Sequence, residues 1–147
     1  MVKFDPACGG PAEAVRFEQL TDWSKHPDQR IRYYSGTATY TNTFTLQRKG
    51  HYLLAIDKPG SVAQVVVNGQ EVATLWCAPW VADISPYIKK GVNLLEIRVA
   101  NSLWNRLVGD ASKPQSERLM LQTTPLAEAD DELVPSGLMG TVRIVKQ

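Results

Sequence analysis

Aromatic and planar polar side chains stand close together at several points of the sequence, and such groups bind carbohydrate. An aromatic ring packs against the apolar face of a sugar, while amide and guanidinium groups donate hydrogen bonds to its hydroxyl oxygens. Trp104, Asn105 and Arg106 combine these types in consecutive positions. The candidates for binding a sugar or contacting another domain are Trp104, Asn105, Arg106, Asp110, Arg32, Tyr33, Tyr34, Trp76 and Trp80.

The charged and tyrosine candidates each have a purely structural interpretation as well. Arg106 can pair with Asp110 as a loop clamp, which would engage both charges within the chain. Of Tyr33 and Tyr34, one must face away from the core, because consecutive residues entering a strand point to opposite sides. The sequence leaves both interpretations open.

The tryptophans are ambiguous in the same way. The Trp23 side chain is expected to fill one end of the core. Trp76 and Trp80 flank a short Cys-Ala-Pro stretch, and we expect at least one of them to pack against a sheet.

Paired carboxylates hydrolyse glycosidic bonds, and they must lie roughly 5 to 10 Å apart to do so. The chain has several aspartates, but their spacing selects no pair. Asp83 is expected to cap the turn before Pro86, and Asp28 belongs to a Pro-Asp loop step. No Gly-x-Ser-x-Gly elbow is present, and His26 and His51 stand in ordinary polar settings. The sequence therefore assigns no catalytic residue.

Charge and hydropathy exclude two classes of partner. Sixteen basic and fifteen acidic residues leave a net charge of +1, which does not suggest nucleic-acid binding. No stretch approaches the roughly 20 apolar residues that cross a bilayer, so no membrane partner is expected. The N-terminal residues lack the apolar core of a secretory signal.

The sequence predicts no metal site and no cofactor. Cys8 and Cys77 lie far apart and are interpreted as two separate thiols, although the sequence does not exclude that they pair. No CxxC pair or His-rich cluster suggests zinc. A structural calcium ion near Asp5 is an alternative that no Asp-rich loop supports.

The clearest structural signal is the alternation over residues 37–46. Threonine occupies every odd position, and Ala38, Tyr40, Phe44 and Leu46 share the even face. A strand places these two sets on opposite sides, whereas a helix would spread the threonines around its circumference. The pattern therefore predicts a β-strand.

Further strands and turns follow at short intervals. The Asn68-Gly69 pair between two β-prone runs predicts a hairpin. One short helical turn is expected within 83–91, and the segments 21–30, 104–114 and 125–137 are predicted to be irregular, with a solvated acidic loop at 128–132. The remaining predicted strands are 51–57, 62–67, 70–76, 93–101 and 142–146, with 13–20 as the opening strand.

Several motifs occur in a recognisable order along the chain. They are Phe4-Asp-Pro with Gly9-Gly-Pro, the stretches 20–24, 32–38 and 67–69, Trp76 with Pro79, the stretch 83–84, Gly91 with 93–96, and the stretches 105–110 and 136–140. Together they resemble the C-terminal galactose-binding-like β-sandwich of large bacterial α-L-rhamnosidases and related glycoside hydrolases. They are more loosely similar to the N-terminal sugar-binding domain of β-galactosidases and β-glucuronidases.

The resemblance implies an all-β fold, a β-sandwich or jelly roll like the galactose-binding domains. It implies one domain, residues 1–147, that belongs to a larger glycoside hydrolase whose catalytic carboxylates lie in another domain. The expected function is that of a non-catalytic accessory module, with the parent catalytic domain and an oligo- or polysaccharide as partners. A purely structural module that binds no sugar is the alternative. The parent enzyme is expected to be secreted or periplasmic.

Overall fold

Over residues 1–120 and 122–147, which a computed structural model describes, the chain forms eight strands and two α-helices. Short 3₁₀ turns lie at Pro6–Cys8, Trp23–Lys25, Ser85–Tyr87 and Gln115–Glu117. The strands are β1 (Val2–Lys3), β2 (Thr37–Leu46), β3 (Tyr52–Pro59), β4 (Val62–Val67), β5 (Gln70–Leu75), β6 (Val81–Asp83), β7 (Gly91–Ala100) and β8 (Leu138–Lys146), and the helices are α1 (Gln29–Arg32) and α2 (Trp104–Ala111).

The strands form two antiparallel sheets that enclose the core. The larger sheet has the order β1-β2-β7-β4-β5, and the smaller sheet has the order β6-β3-β8. Apolar residues from the inner face of each sheet belong to one core cluster. The predicted all-β sandwich is therefore confirmed.

Strand β2 has the two faces that its alternation predicts. Ala38 and Tyr40 are buried in the core, while Thr37, Thr43 and Thr45 are exposed. The strand pairs with β7 over its whole length, from Thr37 opposite Ala100 to Leu46 opposite Gly91. This pairing makes β2 and β7 the centre of the larger sheet.

The Asn68-Gly69 hairpin is confirmed, and a second asparagine holds it. Both turn residues have positive φ, 51° at Asn68 and 79° at Gly69, as a tight hairpin requires. Asn68 Nδ2 donates to Asn93 Oδ1 at 2.9 Å, and the fully buried Asn93 also accepts a bond from the Lys89 amide at 2.8 Å. The asparagines therefore tie the hairpin to the start of β7.

Two predicted segments differ from the structure. Residues 13–20 form no strand: Val15 makes one isolated bridge with Val2, and β1 opens the larger sheet instead. Residues 104–111, predicted to be irregular, form α2. The short turn predicted within 83–91 is confirmed at Ser85–Tyr87, where Asp83 Oδ1 accepts from the Ser85 amide at 2.9 Å.

Aromatic side chains fill one end of the core. Trp23 is fully buried, as expected, and its ring stacks on Tyr40 with centroids 5.9 Å apart and planes 12° apart. The Tyr40 hydroxyl accepts a hydrogen bond from the Leu138 amide at 2.9 Å, which joins the two sheets. Burial raises the pKa of Tyr40, so this phenol stays protonated.

Among the described helices, none has both the length and the apolar character to cross a membrane.

Candidate functional site

Most of the predicted site residues lie on or beside α2, at one end of the sandwich. We call Trp104, Asn105, Arg106 and Asp110 the α2 cluster. Asn105 is 1% exposed, Arg106 4% and Asp110 0%. The helix therefore turns polar side chains, together with Val108 and Gly109, towards the body of the protein.

The first two residues of α2 hold the segment that leads into β8. Asn105 Nδ2 donates to the Val134 carbonyl at 2.8 Å, and its Oδ1 accepts from the Val134 amide at 2.8 Å. Trp104 Nε1 donates to the Glu132 carbonyl at 2.8 Å. Both side chains thus supply hydrogen-bond partners to backbone groups of the segment before β8, which pairs with no strand.

Asp110 interacts with several donors at the C-terminal end of α2. Its Oδ1 lies 3.0 Å from Lys113 Nζ and 3.6 Å from Arg106 Nη1. Its Oδ2 accepts from the amides of Leu119 and Met120 at 2.9 and 3.1 Å. Burial raises the pKa of Asp110, but the bonds from Lys113 and Met120 and the neighbouring positive charges outweigh it, so this pKa lies below its usual value.

The Arg106–Asp110 pair is therefore the clamp of the structural interpretation, within a helix and not a loop. Arg106 Nη2 also reaches the Cys8 carbonyl at 3.5 Å, which connects α2 with the N-terminal segment. Gly9 makes this approach possible, because a Cβ on it would lie 3.1 Å from Arg106 Nη2.

The tyrosine and arginine candidates before β2 have separate positions. Tyr34 is fully buried, and its hydroxyl accepts from the Asp5 amide at 3.1 Å and donates to the Thr37 carbonyl at 3.0 Å. Burial raises the pKa of Tyr34. Tyr33 is half-buried and lies against Gly109 of α2. Arg32 Nε donates to the His26 carbonyl at 2.9 Å.

Trp76 and Trp80 belong to a different part of the molecule, the connection between β5 and β6. Trp80 packs against the core, as expected for at least one of them, whereas Trp76 is 73% exposed. The structure therefore places Trp76 and Trp80 apart from the residues around α2, while Tyr34 lies in the core and Arg32 lies beside the His26 carbonyl. That these residues bind a sugar or another domain stays a prediction.

A depression beside α2 is the place where a ligand could meet Arg106, the member of the α2 cluster that lines it. It has a volume of about 380 Å³, and Leu103 and Leu119 at its wall are half-exposed. Within residues 1–120 and 122–147, the buried Arg106 Nε and Asn101 Nδ2 have no hydrogen-bond partner. We call this the α2 depression; its lining also includes Ala7, Cys8, Ser35, Gly36, Thr37, Ala100 and Met120.

A second cavity opens between the two sheets, on the side where β1 lies. It has a volume of about 320 Å³, and side chains from β2, β7 and β8 line it. We call it the flank groove. No sequence signal predicts this groove: the alternation places Phe44 on the inner face of β2 but does not show that the residue lacks a cover.

Four aspartates outside the α2 cluster are each engaged in the fold. Asp22 accepts from the Ser24 and Ser136 amides, both at 3.0 Å. A bidentate contact with Arg30 lowers the pKa of Asp28. Asp57 accepts from Thr141 and Arg143, and Asp83 accepts from Ser85.

Two other chemical possibilities concern metals and thiols. In the part of the chain that the structure describes, no group of three His, Cys, Asp or Glu side chains is arranged to hold a metal ion. Asp5 accepts from the Ala7 amide at 2.9 Å and so caps the first 3₁₀ turn. Cys8 and Cys77 are separate free thiols.

Comparisons with known proteins place this fold among parts of carbohydrate-active enzymes. The structure is similar to a region of the rhamnosidase from Novosphingobium sp. PP1Y, with a TM-score of 0.91 and 39% identity over 97% of this chain. A "putative beta-glucuronidase" of Formosa agariphila is 34% identical over 158 aligned residues, which cover 88% of this chain. No family model matches.

A third likeness concerns the fold alone. The β-glucuronidase of Ruminococcus gnavus is 24% identical and has a TM-score of 0.56 over 68% of this chain, which spans 20% of that enzyme. The chain likewise spans 14% of the rhamnosidase and 14% of the Formosa protein. These relatives are glycoside hydrolases by name, and a match to so small a share of each fits an accessory domain of a larger hydrolase.

Proposed function

We propose that this chain is a non-catalytic accessory domain of a larger glycoside hydrolase, and that its task is to support the catalytic domain. The observation that carries the proposal is the rhamnosidase match, which covers 97% of this chain and 14% of that enzyme. The parent is then an enzyme of the rhamnosidase kind, with its catalytic carboxylates elsewhere. Its secreted or periplasmic location stays a prediction.

The contacts of the carboxylates support a structural task. Asp22, Asp28, Asp57 and Asp83 serve turns or neighbouring strands, and Asp110 is enclosed by donors. A pair that hydrolyses a glycosidic bond must instead face a substrate from two sides. These five carboxylates therefore act on the chain's own backbone and side chains.

The wall of the α2 depression favours contact with another domain. Leu103 is 50% exposed and Leu119 48%. Apolar side chains that are grouped around a concave surface are typical of an interface with a protein partner. We expect this surface to lie against the catalytic domain of the parent.

Two measurements test the accessory role. The isolated 147-residue chain is expected to show no turnover of aryl α-L-rhamnosides or β-glucuronides, and turnover that one Asp→Asn substitution abolishes would contradict the proposal. In the full-length enzyme, Leu103→Asp with Leu119→Asp is expected to lower the melting temperature of the catalytic domain. The matched control is Leu126→Asp, whose side chain is 67% exposed and does not line the depression.

A second candidate function is glycan contact at the α2 depression, which the unpaired donors of Arg106 and Asn101 favour. A sugar hydroxyl oxygen could accept from either nitrogen. Both nitrogens are covered, so a sugar reaches them only when a lining side chain such as Leu119 moves.

Calorimetric titration separates the two functions. Rhamnose-, galactose- and glucuronate-containing glycans at millimolar concentration are the ligands. Heat that Leu119→Trp abolishes by filling the depression would establish glycan binding, whereas silence across the panel leaves the supporting role alone.

A further inference from the structure

Basic side chains are grouped at the end of the sandwich opposite α2. Two connections cross from one sheet to the other at this end: residues 47–51 join β2 to β3, and residues 84–90 join β6 to β7. Each connection carries a basic pair, Arg48 with Lys49 and Lys89 with Lys90, and all four residues are exposed. We call these four residues the basic end.

The strand register brings the two basic pairs to the same place. Leu46 and Gly91 lie opposite each other in the β2–β7 ladder, so the two connections meet the larger sheet at positions about 5 Å apart. A hydrogen bond also joins the connections where they meet the smaller sheet, because the Tyr52 amide donates to Ser85 Oγ at 2.9 Å. The four cations therefore belong to one surface.

The cations of the basic end are available to an anion. None of the four forms a salt bridge with another side chain among residues 1–120 and 122–147. The nearby carboxylate of Asp83 is engaged, since it accepts from the Ser85 amide at 2.9 Å and lies 3.4 Å from His51 Nε2. Lys146 adds another exposed cation beside the first connection, because its Cε lies 3.8 Å from the place of a Cβ on Gly50.

The net charge of +1 conceals this uneven distribution. The acidic loop 128–132 lies at the other end of the sandwich, where the Glu132 carbonyl accepts from Trp104 of α2. A chain with a balanced total charge can thus present a positive potential at one end. Such a potential raises the local concentration of anions and speeds their association.

The other side chains of the two connections favour a polyanion over a protein partner. Besides the basic end itself, the connections expose Gln47, Gly50, His51 and Pro86, and none of their large apolar side chains is exposed. Protein interfaces instead have an apolar centre and are depleted in lysine. Ammonium and guanidinium groups on long stems donate strong hydrogen bonds to carboxylate or sulfate oxygens.

We propose that the basic end binds an anionic polysaccharide, a glycan whose sugars carry carboxylate or sulfate groups. The inference rests on the proposed function, because a parent glycoside hydrolase makes a glycan, and not a nucleic acid, the polyanion that this domain meets. Binding here keeps the parent enzyme attached to a charged polysaccharide. The surface is separate from the α2 depression, which lies at the opposite end of the sandwich.

Titration of the 147-residue chain with three glycans tests the proposal. Oligogalacturonate carries carboxylates, a sulfated galactan carries sulfates, and a neutral galactan carries neither; we expect binding to at least one of the first two and none to the third. Lys49→Gln with Lys90→Gln is expected to weaken binding at least about fivefold, because it removes two of the four charges. The matched control is Lys25→Gln with Lys58→Gln, two exposed lysines outside the basic end, which should leave the affinity unchanged.

The outcomes distinguish the possible ligands and sites. Equal weakening by the two double variants, equal affinity for the neutral galactan, or no binding to either anionic glycan would overturn the proposal, and so would tighter binding of a single-stranded DNA than of both anionic glycans. Leu119→Trp is expected to leave this binding unchanged, and a loss of binding in that variant would assign it to the α2 depression instead. None of these results depends on turnover or on the stability of the catalytic domain, so the accessory role stands or falls separately.

Discussion

The side-chain amide of Asn105 pairs with the backbone of Val134 in both directions, as one strand residue pairs with another. Both hydrogen bonds measure 2.8 Å, and Asn105 is buried. The pair holds α2 against the segment before β8, where no neighbouring strand supplies backbone partners.

Asn105→Ala is expected to lower the free energy of unfolding by about 1 to 2 kcal/mol, because the buried Asn105 side chain makes two partly buried hydrogen bonds and each contributes about 0.5 to 1.5 kcal/mol net. Urea unfolding followed by circular dichroism measures the change. Asn42→Ala is the control, since that exposed side chain bonds only to the next residue, and about 0.5 kcal/mol or less is expected. If the two substitutions lower the free energy of unfolding equally, the Asn105 hydrogen bonds do not stabilise the fold more than the exposed Asn42 bond does.

Asp110→Asn is expected to cost about 3 kcal/mol, because it leaves the buried guanidinium of Arg106 without its counter-charge. In an Arg106→Met background the same substitution should cost less, and the difference measures the coupling of the pair. Asp130→Asn, at an exposed position in the acidic loop, serves as the control. Strict additivity of the two substitutions would show that the ion pair contributes nothing.

Stability should fall in acid, and Asp110 accounts for part of the fall. The pKa of Asp110 is lowered in the folded chain, so its contribution is fully present above the unfolded value of about 3.9 and is lost as pH falls through the folded value. Unfolding curves between pH 5 and pH 2 should therefore decline less steeply for Asp110→Asn. Some decline remains, because hydrogen bonds from Thr141 also lower the pKa of Asp57. If the unsubstituted chain and Asp110→Asn lose stability with the same slope between pH 5 and pH 2, Asp110 does not contribute to the loss of stability in acid.

Gly109→Ala is expected to destabilise the chain by about 1 to 2 kcal/mol, although alanine normally stabilises a helix relative to glycine. A Cβ at Gly109 would lie 2.7 Å from Tyr33 Cβ and 2.8 Å from its Cδ1, so the ring or the helix must shift. In a Tyr33→Gly background, which removes Tyr33 Cβ together with the ring, this cost should vanish, and thermal melts of the four proteins measure it. If Gly109→Ala stabilises the chain both with and without the Tyr33 side chain, Tyr33 makes no steric clash with a Cβ at this position of α2.

The β-sheets could be predicted because local pattern and burial agree there. The odd threonines of β2 lie on its outer face, and the Asn68-Gly69 turn has the positive φ angles that its residues favour. In both cases the side-chain types and the backbone geometry favour the same structure. Sequence alone therefore identified the sandwich.

Helix α2 could not be predicted, because its buried face is largely polar. Asn105, Arg106 and Asp110 occupy positions where the periodic pattern of a helix would place apolar residues. Their partners, such as the Val134 backbone, lie far along the chain and leave no local signal. The strand predicted over 13–20 is wrong for the opposite reason. Val15 and Phe17 alternate with charged residues, but only Val15 pairs, through one bridge to Val2 of β1, so no ladder forms.

The place of β8 determines when this domain can fold during synthesis. Strand β3 lies between β6 and β8, and β8 comes last in the chain. On a ribosome, the smaller sheet therefore lacks half of its central pairing until residues 138–146 have emerged. The apolar face of the larger sheet stays partly uncovered for the same interval, because Leu138 and Ile144 supply part of the opposite wall. The core of this domain is therefore complete only after its last strand has paired with β3.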